Sequence, residues 1–154
     1  MTDATVRDAQ PADAAELVRL DAVLLDSLGS VDEDGWQQVA TSSLTASLTD
    51  GSVIGAVTTL DGHVVSGAMA AIWHTIPGPG HDGRRAWIFG VATDPSHRRR
   101  GHARATLSLL LDRLDKMDIR KIDLSSTSEG AGVYRSLGFA AAPFPRLVRR
   151  PPGL

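Results

Sequence analysis

The densest chemistry in the sequence lies in the run Asp94-Pro95-Ser96-His97-Arg98-Arg99-Arg100-Gly101-His102-Ala103-Arg104. It joins an apolar stretch, Ala86 to Thr93, to the clearest amphipathic pattern in the chain. There Leu107, Leu110, Leu111 and Leu114 recur at i, i+3, i+4 and i+7, the spacing of one helix face. The first turn of a helix carries backbone N–H groups without partners, and the helix dipole adds positive charge, so such a junction attracts anions. Gly101 and Ala103 are small enough for a ligand to approach the backbone. Arg98, Arg99, Arg100 and Arg104 surround it with guanidinium groups, which suit phosphate oxygens better than ammonium does. The expected chemistry is phosphate or pyrophosphate binding. An arginine run can also be a merely solvated face; the strand–loop–glycine–helix succession argues for the site. Neither G-x-G-x-x-G nor G-x-x-x-x-G-K-S/T occurs, so dinucleotide and P-loop readings fail at the residue level.

The elements that must hold this loop are legible around it. Residues 4–8 read as an opening strand, and Leu17, Leu20 and Leu24 as a first helix begun near Pro11. A weaker helix is expected from about Gly35 to Leu48. Two strands follow, about Ser52 to Leu60 and His63 to Thr75, around the hairpin signal Asp61-Gly62. Gly90, inside the strand Ala86–Thr93, suggests a bulge or a close backbone approach. After the amphipathic helix come a short strand, Lys121 to Ser125, and a short helix, Glu129 to Leu137, stopped by Gly138. One or two edge strands are expected from Phe139 onward. No repeat or linker divides the chain, so residues 1–154 are expected to form one domain.

Composition narrows the chemistry further. The 154 residues include no cysteine, which removes disulfides, thiolate zinc sites and a cysteine nucleophile. No apolar run approaches the ~20 residues that span a bilayer, and the N-terminal residues lack the pattern of a signal peptide; a cytoplasmic location is expected. Fourteen arginines against two lysines, Lys116 and Lys121, point to a GC-rich bacterial source. The formal charge of −2 is a cancellation. Residues 1–80 hold two basic and eleven acidic side chains; residues 81–154 hold fourteen basic and seven acidic ones. One part of the molecule is therefore suited to an anion and the other is not. The five histidines are scattered without short ligand spacing, so no metal is expected. The absence of aromatic residues between the arginines, and the acidic overall balance, argue against nucleic acid.

The segment Arg98-Arg99-Arg100-Gly101-His102-Ala103 resembles the R-x-x-G-x-A acetyl-CoA signature of the GNAT superfamily of N-acetyltransferases. Tyr134-Arg135-Ser136-Leu137-Gly138-Phe139 is similar to that family's Y-x-x-L-G-F helix end, and the order of elements matches along nearly the whole chain. The resemblance implies an α/β (α+β) GNAT fold. In it a mixed, mostly antiparallel sheet of six to seven strands, flanked by about four helices, splays between the fourth and fifth strands. It implies an acyltransferase that moves acetyl from acetyl-CoA to a primary amine of a small molecule or peptide by direct attack in a ternary complex, as a monomer or homodimer. Backbone groups of Val91 and Thr93, with Ala92, would then bind the pantetheine arm. The Val91 amide would polarise the thioester carbonyl, and backbone amides from Arg99 through Arg104 would hold the pyrophosphate. The arginines Arg98, Arg99, Arg100 and Arg104 would be candidates for the 3′-phosphate, and Gly101, His102, Ala103 and Thr127 would be further cofactor contacts. Tyr134, the only tyrosine, would be the general acid.

The general base departs from the family pattern. Many members carry a glutamate in the strand before the signature, and the matching position here is Phe89. His74, His81, Asp82 and Glu33 are the substitutes considered, beside a water relay. Trp36, Trp73, His74 and Phe89 are candidates for an acceptor pocket, with core packing as the alternative for each aromatic. A non-catalytic module that binds acyl-CoA as a sensor is the competing function.

Overall fold

A computed structural model describes residues 3–29 and 34–153. Five strands form one sheet: β1 (Ala4–Asp8), β2 (Val53–Leu60), β3 (His63–His74), β4 (Arg84–Thr93) and β5 (Ile122–Leu124), adjacent in that order. The first three pairings are antiparallel and β4–β5 is parallel. Among the described residues there are four α-helices: α1 (Ala14–Ser27), α2 (Trp36–Asp50), α3 (His102–Lys116) and α4 (Ala131–Ser136). The hairpin at Asp61-Gly62 has both turn residues at positive φ, 49° and 79°, which is the two-residue turn that matches strand twist. No helix among the described residues is long and apolar enough to cross a membrane.

Each face of the sheet has its own core. On one face the α3 leucines 107, 110 and 114 pack on Ala56, Ala68, Ala70, Ala86 and Ile88. Alanines line the sheet there, so α3 lies close to the strands. A buried Thr58–Thr106 hydroxyl pair at 2.7 Å adds a polar tie between β2 and α3. On the other face, Leu17 and Leu20 of α1 pack with Val57, Val64, Met69 and Ala92, and Phe89 joins them at the edge. Gly67 exists for this contact, since a Cβ there would stand 2.5 Å from Leu17 Cδ2. The helix α2 has no buried residue; Leu44 and Leu48 are its contributions to that core.

The expected six to seven strands are not found. From Phe139 onward the described chain forms no strand; residues 140–153 are exposed. Pro143 and Pro145 interrupt the segment, and proline has no N–H to give to a ladder. Side chains hold it instead. Arg146 stacks on Trp87, 4.5 Å from the ring centroid, and its guanidinium donates to Ser125 Oγ at 2.6 Å. The last helix is also shorter than its expected span of Glu129 to Leu137.

The start of α1 is fixed to β1 by charge. Arg7 donates to both carboxylate oxygens of Asp13, at 2.7 and 2.9 Å, and the Gln10 amide donates to the same carboxylate at 2.7 Å. The Arg7 bond is the main reason the Asp13 carboxyl is held below the ordinary carboxylate range. A depressed folded value stabilises the fold above the unfolded carboxyl's value, and that gain is lost as pH falls through the folded one. With Arg7 partly exposed, Asp13→Asn is expected to cost about 1 kcal/mol at neutral pH, roughly 2–4 °C in Tm. Thermal melts across pH should show this deficit closing in acid.

Candidate active site

Strand β4 carries one residue too many for its neighbour. Gly67 pairs with Ala92 and Met69 with Phe89, so Gly90 and Val91 together stand opposite Ala68 alone. This is a β-bulge, as Gly90 suggests from the sequence, and its φ of 61° lies where glycine is at ease. A Cβ on Gly90 would stand 2.3 Å from Met69 Cε. The extra residue shifts the strand's alternation. Ala86, Ile88 and Val91 pack toward α3, while Phe89 and Ala92 pack toward α1. Val91 is thus set in a disrupted stretch of ladder, where its backbone groups can serve a ligand.

The opposite edge of β4 is open at the same level. β5 pairs only with Ala86, Trp87 and Ile88, so among the described residues no strand covers that edge from Phe89 to Thr93. The Asp94 amide donates to Val65 O on β3 at 2.8 Å, and by strand alternation Thr93 turns its backbone groups toward the open side. Arg98 agrees with this placement, since its Nε donates to Thr93 O at 3.2 Å. Bulge and parted strands therefore coincide.

The chain next makes a single 3-10 turn, Pro95–His97, and reaches α3 through Arg98–Gly101. Arg99 and Gly101 both have positive φ, 62° and 80°, on either side of Arg100. Gly101 caps α3 without any side-chain hydrogen bond, which leaves the first-turn amides available to an anion. Arg99, Arg100 and Arg104 are exposed; Arg104 also donates to Ser136 Oγ at the end of α4, at 3.0 Å. A cleft of ≈ 680 Å³ opens beside this loop toward the β2–β3 hairpin, with Arg100, His97 and His102 on its wall. The buried Nε2 of His102 has no hydrogen-bond partner among the described residues. Neither Val91 nor Tyr134 lines that cleft, so it is separate from the bulge.

Tyr134 lies on α4, packed against the α3-side core and edge-on to Phe139, with ring centroids 6.0 Å apart. Burial pushes its hydroxyl above the usual phenol value, so it is protonated at neutral pH. Gly130 makes room for the ring, since a Cβ there would stand 2.9 Å from Tyr134 Cε2 and 3.6 Å from Thr127 Oγ1. Thr127 is exposed in the turn that opens this helix, where its Oγ1 accepts from the Gly130 amide.

The remaining expected residues scatter. Trp73 and His74 end β3 opposite Arg85 and Arg84, and both are exposed. At ~3.3 Å per strand residue this is about 20 Å from the bulge. Trp73 carries Arg85 over its ring at 5.9 Å. His81 accepts from the Gly83 amide, and Asp82 is paired with Arg84 at 2.6 Å, so both serve the turn before β4. Trp36 opens α2, partly buried. Glu33 lies outside the described residues. Phe89 alone of this group borders the bulge. Among the described residues no group of three or more His, Cys, Asp or Glu side chains stands together as a metal site.

One carboxylate that the motifs do not single out reaches the bulge. Asp21, on α1, has its Oδ1 3.7 Å from the place a Cβ would take on Gly90. Its sequence signal is positional. Leu17, Leu20, Asp21 and Leu24 occupy i, i+3, i+4 and i+7, so an acid interrupts the apolar stripe of α1.

The model of the acetyltransferase (GNAT) family matches residues 20–139. The chain belongs to the GNAT acetyltransferase family. Over 60 residues it is 37% identical to the ribosomal protein bS18 alanine N-acetyltransferase of Escherichia coli (strain K12), covering 37% of this chain and 40% of that protein. The match thus spans less than half the length of that curated relative. Among solved structures, a "predicted acetyltransferase with acetyl-CoA" from Clostridium acetobutylicum shares the fold at TM-score 0.84 and 21% identity, covering 96% of each chain. The ribosomal-protein-alanine N-acetyltransferase of Brucella melitensis biovar Abortus 2308 does so at TM-score 0.69 and 19% identity, over 96% of this chain and 99% of that one.

The turn that leads into the Arg98–Ala103 segment is tied down by Arg19. Its guanidinium donates to both Asp94 oxygens, at 2.7 and 3.2 Å, and to Val64 O at 3.0 Å, and it also pairs with Glu16. These bonds, Asp94 first, raise the Arg19 pKa above its ordinary value. The clamp joins α1, β3 and the last turn before the signature. Arg19→Met keeps the stem and removes the fork. It is expected to cost about 1 kcal/mol for this partly exposed site, roughly 2–4 °C, as read by thermal melting.

Proposed function

We propose that this protein is an N-acetyltransferase that moves acetyl from acetyl-CoA to a primary amine of a small molecule or peptide. The observation that carries the reading is the coincidence in β4 of a bulge and an open strand edge, followed along the chain by an uncapped helix start ringed by arginines. Family membership agrees with it. The Val91 amide supplies a hydrogen-bond donor for the thioester carbonyl, where charge develops as the amine attacks. The open edge of Thr93 suits the amide-rich pantetheine arm, and the amides from Arg99 to Arg104 suit the pyrophosphate. Arg98 already bonds Thr93, whereas Arg99 and Arg100 have no partner among the described residues and suit the remaining phosphate.

The reaction joins nitrogen to the acetyl carbon and releases the CoA thiolate, which needs a proton. Tyr134 is the group proposed to give it, because burial keeps its phenol protonated at neutral pH. The acceptor side is assigned to α1 and α2, where the acidic half of the sequence suits a cation. Acceptors of that kind include a peptide amine, as the name of the Escherichia coli relative describes for that protein, and a free polyamine. Acetyl-CoA is an intracellular metabolite, so the reaction belongs in the cytoplasm.

Thiol release from acetyl-CoA, measured over a panel of primary amines, tests the reading. Tyr134→Phe is expected to lower kcat about 10²-fold while CoA still raises the melting temperature. Neutralising Arg99 and Arg100 together is expected to abolish that CoA-induced shift. Phe89, in place of a carboxylate, favours the alternative of a CoA sensor, which predicts tight CoA binding with no turnover on any amine.

A further inference from the structure

We propose that Asp21 is the catalytic base of this enzyme, a carboxylate brought from α1 to the bulge in place of one on strand β4. The role rests on the acetyltransferase reading above. Three observations place it. First, the Phe89 side chain belongs to the core on the α1 face, so a carboxylate at that strand position would point toward α1. Asp21 meets the same spot from the opposite element, with Oδ1 3.7 Å from the missing Cβ of Gly90. Gly90 is the residue before Val91, whose amide faces the reacting carbonyl in the proposed function.

Second, the position is costly for any merely structural purpose. Asp21 stands in the core-facing stripe between Leu20 and Leu24 and is partly buried. Among the described residues its carboxylate has no hydrogen bond and no ion pair, unlike Asp13 at the start of α1 and Asp94 after β4, each held by an arginine. Burial without a partner raises its pKa above the ordinary carboxylate value, which makes it a stronger proton acceptor. Third, Tyr134 packs in the core of the α3 face and Asp21 reaches the bulge from the α1 face. The two proton-handling groups thus belong to opposite faces of the sheet, one for the entering nitrogen and one for the departing sulfur.

The protons balance as follows. The acceptor arrives as an ammonium, and Asp21 takes one proton and passes it to solvent. The neutral amine forms the C–N bond at the acetyl carbon. The C–S bond breaks and the thiolate sulfur receives the Tyr134 proton. The second nitrogen proton is lost as the amide forms, and it restores the phenol through solvent. Net, ammonium and thioester give amide, thiol and one released proton.

The test uses two small acceptors, n-propylamine, an ammonium at pH 7, and hydroxylamine, which is already neutral there. Thiol release is measured at saturating amine with the parent chain and with Asp21→Asn, which preserves shape. The expected result is a fall in kcat of about 10²-fold with n-propylamine and less than about 5-fold with hydroxylamine. CoA-induced melting shifts should match the parent's, and Asp21→Asn should melt no lower, because a desolvated charge has been removed. Equal losses with both amines, a loss confined to KM, or no loss would overturn the role of Asp21 while leaving the transferase reading intact. A parent chain that releases thiol with neither amine overturns both. If the variant fails the melting control, Asp21→Ala with added formate decides: restored turnover on n-propylamine supports the base, and its absence counts against it.

Discussion

One extra residue in β4 governs the site. An antiparallel ladder admits an additional residue only by breaking its own repeat, and the break falls where Gly90 can take a left-handed backbone without a side chain striking Met69. Everything downstream inherits the phase change. Val91 turns toward α3, Ala92 toward α1, and Asp94 returns to β3 in time for its amide to reach Val65. Without that shift the last residues of β4 would present the opposite faces, and the loop that follows would leave the sheet on the wrong side of α3.

The sheet also serves as a partition. Its two cores are built differently: alanines under α3 keep that helix tight against the strands, while larger aliphatic side chains fill the space under α1. The arginine-rich loop that leads into α3, proposed above to hold the phosphates, springs from the tight side. The looser face, with a weakly buried α2, is the one assigned to the acceptor. A rigid donor side and a more adaptable acceptor side suit an enzyme with a fixed donor and an acceptor recognised by fewer contacts.

The sequence revealed most where the chemistry is local. Arg98 to Ala103 can be read because a glycine, small residues and arginines at a strand-to-helix junction carry their own explanation, and Gly90 announces its bulge. The Asp61-Gly62 turn is equally self-contained. The residues after Phe139 suggest edge strands interrupted by prolines, but Pro143 and Pro145 remove donors and Arg146 anchors the segment through its side chain, so no strand forms there among the described residues. His74, a candidate base and acceptor-pocket residue by sequence, ends a central strand, but the antiparallel register puts that end beside Arg84, away from the bulge. Asp21 breaks an apolar stripe in plain sight, but what it faces depends on the rotation of α1 over a sheet whose phase has just shifted. No periodicity carries that information.

In the proposed function, the Arg19 clamp gives donor and acceptor a shared mechanical element. The same two turns of α1 hold the arginine that grips Asp94 and the carboxylate that reaches Gly90. A donor that orders the signature loop orders α1 through this fork, and an acceptor that settles against α1 orders the loop by the same free energy, because linkage is reciprocal. Cooperation between donor and acceptor binding is then a property of one helix, carried over a distance of two residues.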